Sequence, residues 1–589
     1  MLALGKYVRQ ALAPRPLRFL ALVLFALVLS TYAWWPMLAR HPQTPIGDGQ
    51  AYFKILEAGR VSITRYHEFP HWNPYECGGY PLWDNPQGWA GAPLTWFSFV
   101  VGTTRTIELW IIAHVAAAFV GMWLFARHEL DLGRLAAFVA SAAWAFSGFH
   151  QHHYSGGHFT FVSFVYFPLA LLLWRRAETN ARAAVGLGLL CAWMFYEGAV
   201  YPLPHLVVLL AAETLTRAWP PRRAVLVAKA GAIVGLVAFT VAASRLLPVL
   251  DQLRQHRRAM PLDVDAMQWE TLKDIFLARA HERQVLGQQY VWTEFGTYVG
   301  PIVLALAVVG VVVAGARRAW LIALLIFSAL LMLGHVSTNA PWSILHAHVP
   351  PFNQMRVPSR FRAEVSMLLA AFAGIAVERL CVMVRRVVAS AAWIDAVRTA
   401  IVCVALVGVG DVISVGQTVI EPFFSGAPAA PIVAPSPRLF YGGADSAAFI
   451  DQPRQNRGRM QCYDEWGFGD GAQLWDGDVP QARAVDDGAV VESASRTQNT
   501  FTIDVVATRP ARIALNTVYD DDWKTDVGST FNHGHQLAVD VPAGRHHVRV
   551  RCWPRTFNAG VAVSLLGMLG SAAWLLRARR RAVTVGAPV

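Results

Sequence analysis

Charge is what this chain has least of. Asp, Glu, Lys and Arg make up 15% of its 589 residues against 55% hydrophobic ones, and the mean hydropathy is +0.36. That balance excludes a soluble enzyme of this size and implies a polytopic membrane protein. Acidic residues are the scarcer sign, 39 against 51 Lys plus Arg. The basic excess does not indicate nucleic acid, because it consists mostly of Arg in short clusters between apolar runs, the pattern of cytoplasmic loops. Cysteine is also sparse, six in all, and none has metal-site spacing. Cys191, Cys381 and Cys403 fall inside apolar runs. Cys462 and Cys552 lie outside them and are open to pairing in an oxidising compartment, with unpaired thiols as the plain alternative. No repeat of solenoid or propeller period is present.

Apolar runs are what the chain has in abundance. The first, 17–35, follows Lys6, Arg9, Arg15 and Arg18. Its length of ~20 residues and its terminal Trp34 and Trp35 favour a retained helix over a cleaved signal. Further runs occupy 105–126, 132–149, 160–174, 183–197, 203–216, 224–243, 298–316, 319–335, 362–382, 397–415 and 557–576. Arginines mark every second connection: Arg127 and Arg134, Arg175 and Arg176, Arg222 and Arg223, Arg317 and Arg318, Arg385 and Arg386, then Arg577 onward. Twelve helices with both termini cytoplasmic satisfy that alternation. It puts Asp48 outside, with loops 150–158, 198–202, 244–297 and 336–361 and the segment 416–556. The outer connections are long and chemically varied, so function is expected there.

The fold expected is therefore a mainly α bundle over 1–416, a β-rich extracytoplasmic domain over 417–556, and a last helix with a basic cytoplasmic tail over 557–589. Within 417–556 the long apolar runs give way to alternating stretches, Phe501 to Val506 and His547 to Arg551, separated by turn residues at Arg509-Pro510 and Pro542-Ala543-Gly544. This predicts a small β-sandwich-like unit. Pro428 to Pro437 reads as an extended linker, and 267–280 as an amphipathic helix on the membrane surface.

Four outer stretches carry candidate chemistry. Asp48 follows the first helix with Tyr52 four residues on, so both share a face if a helix starts there; Asp48 reads either as a catalytic carboxylate or as that helix's N-cap. The stretch from His150 to His158 holds four histidines. It suits hydrogen bonding to a polar ligand, a metal, or a plain interfacial loop made pliable by Gly156-Gly157. Glu197, ahead of Tyr201 and His205, reads as a second acid or as a structural partner of an Arg such as Arg245. Arg356, Arg360 and Arg362 precede a helix, where guanidinium and free N–H groups together hold phosphate; lipid head-group contact is the alternative. His114 and Asp411 read as structural partners inside the bundle.

These residues, taken together, resemble YfhO-type membrane proteins of the GT-C class of polytopic glycosyltransferases. The resemblance rests on Asp48 and Tyr52, on Trp72-Asn73-Pro74-Tyr75 with Gly78-Gly79-Tyr80-Pro81 and Pro86-Gln87, and on Phe146-Ser147-Gly148-Phe149. It extends to Arg356-Val357-Pro358-Ser359-Arg360-Phe361, Trp523-Lys524 and Val541 to His546, spread over nearly the whole chain in order. It implies transfer of a sugar from a polyprenyl-phosphate-linked donor to an envelope glycan, lipid or protein on the outer face of a bacterial inner membrane. Asp48 and Glu197 are then the expected acids. Tyr52, Trp72, Asn73, Tyr75, His152, His153, His158, Tyr201, His205, Arg356 and Arg360 are the expected substrate contacts. The next outer loop offers His152, His153 and His158 where the class often has a second acid, so a divalent metal stays an open option and is not assigned. A lipid-linked-sugar flippase and a non-catalytic assembly factor are the competing readings.

Overall fold

The computed structural model describes residues 15–89, 91–217, 221–256, 266–281, 291–388, 390–430, 435–436, 438–442, 450–462, 471 and 473–584. Lys6 and Arg9 lie outside these residues, as do parts of the expected linker and the end of the basic tail.

Every apolar run becomes helical, but not every one is long enough to span. Among the described residues seven helices have the length and apolarity to cross a membrane: Pro16–Ala33, Thr103–His128, Phe159–Ala177, Arg222–Gln255, Pro358–Val387, Ala391–Phe423 and Phe557–Arg577. An eighth results if Pro301–Val313 and Ala319–Met332, bent by 116° at their junction, form one span. Ala181–Tyr196 and Pro202–Leu215 are shorter. A helix of 16 residues reaches only about 24 Å at 1.5 Å per residue, short of a hydrocarbon core ~30 Å thick. The run 132–149 splits into Arg134–Ala145 and Gly148–Ser155. The break has a packing cause: Gly148 lies so close to Tyr298 that an added Cβ would stand 2.1 Å from the Tyr298 nitrogen, and its own N–H donates to the Tyr298 carbonyl. The chain is an integral membrane protein with seven such helices, or eight if the bent pair is one span, among the described residues.

The connections between helices gather into two groups. In one, Arg175 pairs with Glu129 and Glu213, Arg217 with Glu178 and Glu213, and Arg223 with Glu178, while Arg318 donates to the Leu130 carbonyl. These are the Arg-rich connections. In the other, Arg245 donates to the carbonyls of Phe195, Tyr196, Asn85 and Gly88, tying the varied loops together. Each group satisfies its own charges and carbonyls at its own end of the bundle.

The β-rich region is a sandwich. After the short ladders of β1 (Trp72–Asn73) with β2 (Tyr80–Pro81) and β3 (Phe440–Tyr441) with β4 (Arg457–Gly458), the chain forms β5 (Ala482–Ala484), β6 (Ala489–Arg496), β7 (Thr500–Ala507) and β8 (Ala511–Val518). β9 (Trp523–Thr525), β10 (Ser529–His533), β11 (Gln536–Val541) and β12 (Gly544–Cys552) follow. The sheet orders are β10-β11-β8-β5 and β6-β7-β12-β9. Alternation explains the layering: Phe501, Ile503 and Val505 of β7 and Val548 and Val550 of β12 are buried and register as Ile503 with Val548 and Phe501 with Val550, so one face of each strand fills the space between sheets.

The 67–88 loop joins sandwich to bundle. Trp72 is fully buried in the sandwich core, its ring 5.3 Å from that of Trp523. Gln498 donates to the carbonyls of Ala58 and Trp72, and Glu68 accepts from Thr497 and Thr500. A Cys77–Cys462 disulfide closes the junction. This corrects the pairing considered for Cys462 with Cys552: Cys552 is a free thiol, turned into the sandwich core at the end of β12 and buried. The amphipathic stretch forms the helix Trp269–Leu277, shorter at both ends than 267–280.

Candidate functional site

The helix Asp48–Tyr66 starts at Asp48 itself, with Gly47 as its N-cap residue in a positive-φ conformation. Asp48 is thus the first helical residue and not the cap. A carboxylate there is favoured by the unpaired N–H groups of the first turn. Its side chain stays 43% exposed.

The histidine stretch folds against it. Gly148–Ser155 is a helix with all eight residues buried, not a pliable loop. Gly156-Gly157 lets the chain turn back toward Asp48: Gly157 has φ +90°, and a Cβ on it would lie 2.0 Å from the Gly49 nitrogen. Only glycine fits that approach. His158 is thereby set with Nε2 3.0 Å from Asp48 Oδ2 and 3.7 Å from Glu294 Oε1.

A directed chain of hydrogen bonds ends on Asp48. Arg362 Nη2 donates to His153 Nε2 at 2.6 Å, and His153 Nδ1 lies 2.7 Å from His158 Nδ1. Burial, then the charge of Arg362, hold the His153 imidazolium well below its ordinary pKa, so His153 is neutral at neutral pH. With Nε2 accepting from Arg362, its proton is on Nδ1 and is donated to His158 Nδ1. His158 is left with N–H at Nε2, pointing at Asp48. The network therefore presents one N–H donor, that of His158 Nε2, to the Asp48 carboxylate.

Glu294 and Arg360 close the other side. Arg360 donates to Glu294 through Nη2 at 2.5 Å and Nε at 3.1 Å, a bidentate pair. Its guanidinium carbon lies 4.3 Å from the ring centre of Tyr201 and 4.6 Å from that of Phe161. Burial disfavours the Glu294 carboxylate, but the charge of Arg360 outweighs it and holds its pKa at about 2. Val357 adopts a left-handed conformation at φ +61°, uncommon for a β-branched residue. It separates Arg356, which is exposed, from Arg360, which is 4% exposed.

Among the described residues His153, His158 and Glu294 offer ligand atoms within 4.8 Å of one another. A divalent cation does not fit them as arranged. His153 Nε2 already accepts from Arg362, its Nδ1 faces His158, and Glu294 is held by Arg360, so a cation would meet two guanidinium groups among its neighbours.

The remaining expected residues do not gather in one place. Tyr52 stands beside the site, its hydroxyl 3.1 Å from Gln87 Oε1 and 3.3 Å from Thr160. Glu197 is fully buried and accepts from His114, Ser163, Tyr166 and Trp193; Arg245, its anticipated partner, is spent on backbone carbonyls. His205 bonds Glu364 at 3.0 Å and stacks on Phe361 at 3.9 Å, behind the Arg360 turn. Trp72, Asn73 and Tyr75 are wholly buried at the sandwich junction rather than gathered around Asp48. Asp411 accepts from Tyr298 and Arg279. Glu294 was not legible as a site residue; its signal, one carboxylate between Trp292 and Phe295, is weak without the fold.

A cavity of about 220 Å³ adjoins the site, lined by Gln87, Tyr201, Leu246, Leu250, Met355 and other mostly apolar groups. Tyr201 is shared with the Arg360 pocket and Gln87 with Tyr52, so apolar space opens beside the charged network.

No protein-family model matches the sequence, and no curated protein matches it. Among solved structures, the chain is similar to the arabinofuranosyltransferase AftD from Mycobacteria, with TM-score 0.43 and 15% identity over 69% of this chain and 28% of that one. It is similar also to the Archaeoglobus fulgidus oligosaccharyltransferase tethered to an acceptor peptide, with TM-score 0.43 and 10% identity over 78% of this chain and 65% of that one. The chain thus spans little more than a quarter of the AftD length. At these scores neither likeness bears on what this chain does.

Proposed function

We propose that this protein is a membrane glycosyltransferase that moves a sugar from a polyprenyl-phosphate-linked donor to an envelope acceptor on the non-cytoplasmic face. The observation that carries the reading is the half-exposed Asp48 carboxylate, given one N–H donor by His158 and faced by the Glu294–Arg360 pair beside an apolar cavity. The family resemblance of the sequence is the second support, and it is what supplies the sugar and the polyprenyl phosphate.

In the proposed step Asp48 takes the proton of an acceptor hydroxyl. The hydroxyl oxygen forms a bond to the anomeric carbon while the bond from that carbon to the donor phosphate breaks. The electron pair leaves with the lipid phosphate, inverting the anomeric centre. Exposed Arg356 meets the departing phosphate first, and Arg360 and Arg362 stabilise its charge from below. The apolar cavity beside Tyr201 takes the first isoprenoid units. Glu197 is too enclosed by its four donors to reach substrate, and in this proposal it holds the 159–166 turn that carries Thr160 against Tyr52. Trp72, Asn73 and Tyr75 act at one remove, by seating the 417–556 domain that orients the acceptor. Twelve spans with Asp48 outside remain the topology proposed, and the Cys77–Cys462 disulfide supports an oxidising location for that end.

Mass spectrometry of envelope glycolipids and polymers from cells with the wild-type protein, with Asp48→Asn and without the protein tests the reading. The expected result is one glycan species that both altered strains lack. Identical profiles in all three strains would overturn it.

A further inference from the structure

A second hollow, of about 560 Å³, is lined by Ile46, His152, Arg279, His281, Trp292 and Phe423 among others. Three of its lining residues are near neighbours in the chain of residues in the proposed site. Ile46 is two residues before Asp48, His152 adjoins His153, and Trp292 is two residues before Glu294.

Three of its rings carry buried polar atoms with nothing to bond among the described residues. His152 is 1% exposed, yet among the described residues neither of its ring nitrogens has a hydrogen-bond partner, and the same holds for His281 Nε2 and Trp292 Nε1. Buried polar atoms left unpaired cost about 1–3 kcal/mol each, so four around one hollow call for an occupant. The three rings form a ladder, with His152 and His281 centred 4.5 Å apart at 83° and His281 and Trp292 4.7 Å apart at 74°. Gly296 makes room for it, since a Cβ there would stand 2.2 Å from the His152 ring.

The donor and acceptor set selects the ligand. Burial lowers the pKa of His281 to about 4, against a backbone hydrogen bond to Ala278 that raises it, and burial pushes His152 well below the ordinary histidine value. Both rings are therefore neutral at neutral pH. His281, bonded to Ala278 through Nδ1, presents Nε2 as an acceptor. Trp292 presents a donor, and His152 one of each. Arg279 at the margin is matched by Asp411, so the hollow has no net charge to attract an anion. Hydroxyl groups both donate and accept, and a sugar ring also has an apolar face for an indole.

From this we infer that the hollow is the acceptor subsite, built for a neutral, polyhydroxylated acceptor, a glycan rather than a phosphate or a peptide carboxylate, gripped by His152, His281 and Trp292 with one hydroxyl delivered toward Asp48. The assignment of the sugar as acceptor rests on the transferase reading; the binding of a sugar does not.

The test is saturation-transfer NMR on the full-length protein in lipid nanodiscs, with methyl glycosides of common hexoses and pentoses as probes and inorganic phosphate as competitor. At least one glycoside is expected to bind, and both His152→Phe and the less buried His281→Leu are expected to weaken it by about tenfold or more, the worth of one or two good hydrogen bonds. Using two variants guards against one that fails to fold. Absence of glycoside binding, equal binding by both variants, or displacement by phosphate overturns the inference. If envelope mass spectrometry finds the glycan product while both variants bind glycosides as wild type does, the subsite is wrong and the transferase reading stands. If glycosides bind through these residues and no glycan product exists, the reverse holds.

Discussion

His158 Nε2 stands 3.0 Å from the carboxylate of Asp48, although the two residues are 110 positions apart and only Asp48 is in a helix. The proton on that nitrogen is set by His153 and, behind it, by Arg362. Replacing His158 should therefore disturb a base without removing it. His158→Phe is expected to lower turnover by roughly tenfold to a hundredfold, less than the ~10²- to 10⁴-fold loss for Asp48→Asn. His158→Asn, which keeps a donor, should recover part of the loss; glycan product measured in membranes from the three variants checks the order.

The Glu294–Arg360 pair is the buried ion pair of the site, with side chains 11% and 5% exposed. Glu294→Ala alone leaves a buried guanidinium unpaired and should cost about 3–5 kcal/mol in unfolding free energy, whereas a Glu294→Gln, Arg360→Met double variant should cost less. The pH behaviour has a definite sign. Because Arg360 depresses the Glu294 pKa to about 2 against the opposing effect of burial, the pair's contribution is complete above the ordinary carboxylate value and is lost only as pH falls through about 2. Wild-type melting in detergent should show no loss from this pair between pH 5 and 8.

An opposite sign applies at the sandwich junction. Asp522 is raised to about 6 by burial and then by Asp520, and Asp84 is raised well above its usual range by burial and then by Asp522 and Asp520. Groups raised in the folded state stabilise it below their unfolded values and lose that contribution as pH rises through the folded ones. Protection against hydrogen exchange at 519–523, relative to the intrinsic rate at each pH, should fall from pH 5 to 7, and Asp522→Asn should flatten that fall. Unaltered pH dependence in that variant would count against the carboxyl contact.

The disulfide makes a simple chemical prediction. Non-reducing peptide mapping should recover Cys77 linked to Cys462 and Cys552 as a free thiol. Cys77→Ser is expected to lower stability by about 2–5 kcal/mol, because the bridge closes a very long loop in the unfolded chain. Recovery of Cys462 joined to Cys552 would contradict the fold of the junction.

Glu197 separates a structural acid from a reacting one. Glu197→Ala strands the donors of His114, Ser163, Tyr166 and Trp193 and should reduce the yield of folded protein in detergent. Glu197→Gln keeps an acceptor oxygen, and the protein it yields is expected to retain most of its turnover. An inactive but fully stable Glu197→Gln would move this residue into the chemistry.

The sequence alone determined what depends on local pattern. Apolar run length fixed the membrane class, period-two alternation at 501–506 and 547–551 fixed strands of the sandwich, and a carboxylate just beyond the first helix marked Asp48. Contacts between distant segments were decided only by the tertiary structure. Glu294 joined the site because Arg360 and His158 surround it, and Glu197 left the surface because His114 from another helix reaches it. Cys462 found Cys77 because the 67–88 loop is wedged under the sandwich, and the run 132–149 broke because Gly148 must touch Tyr298. Hydrophobic period and charge spacing record which face of an element is buried. They hold no record of which remote side chain will meet it there, since that is settled by packing over the whole chain.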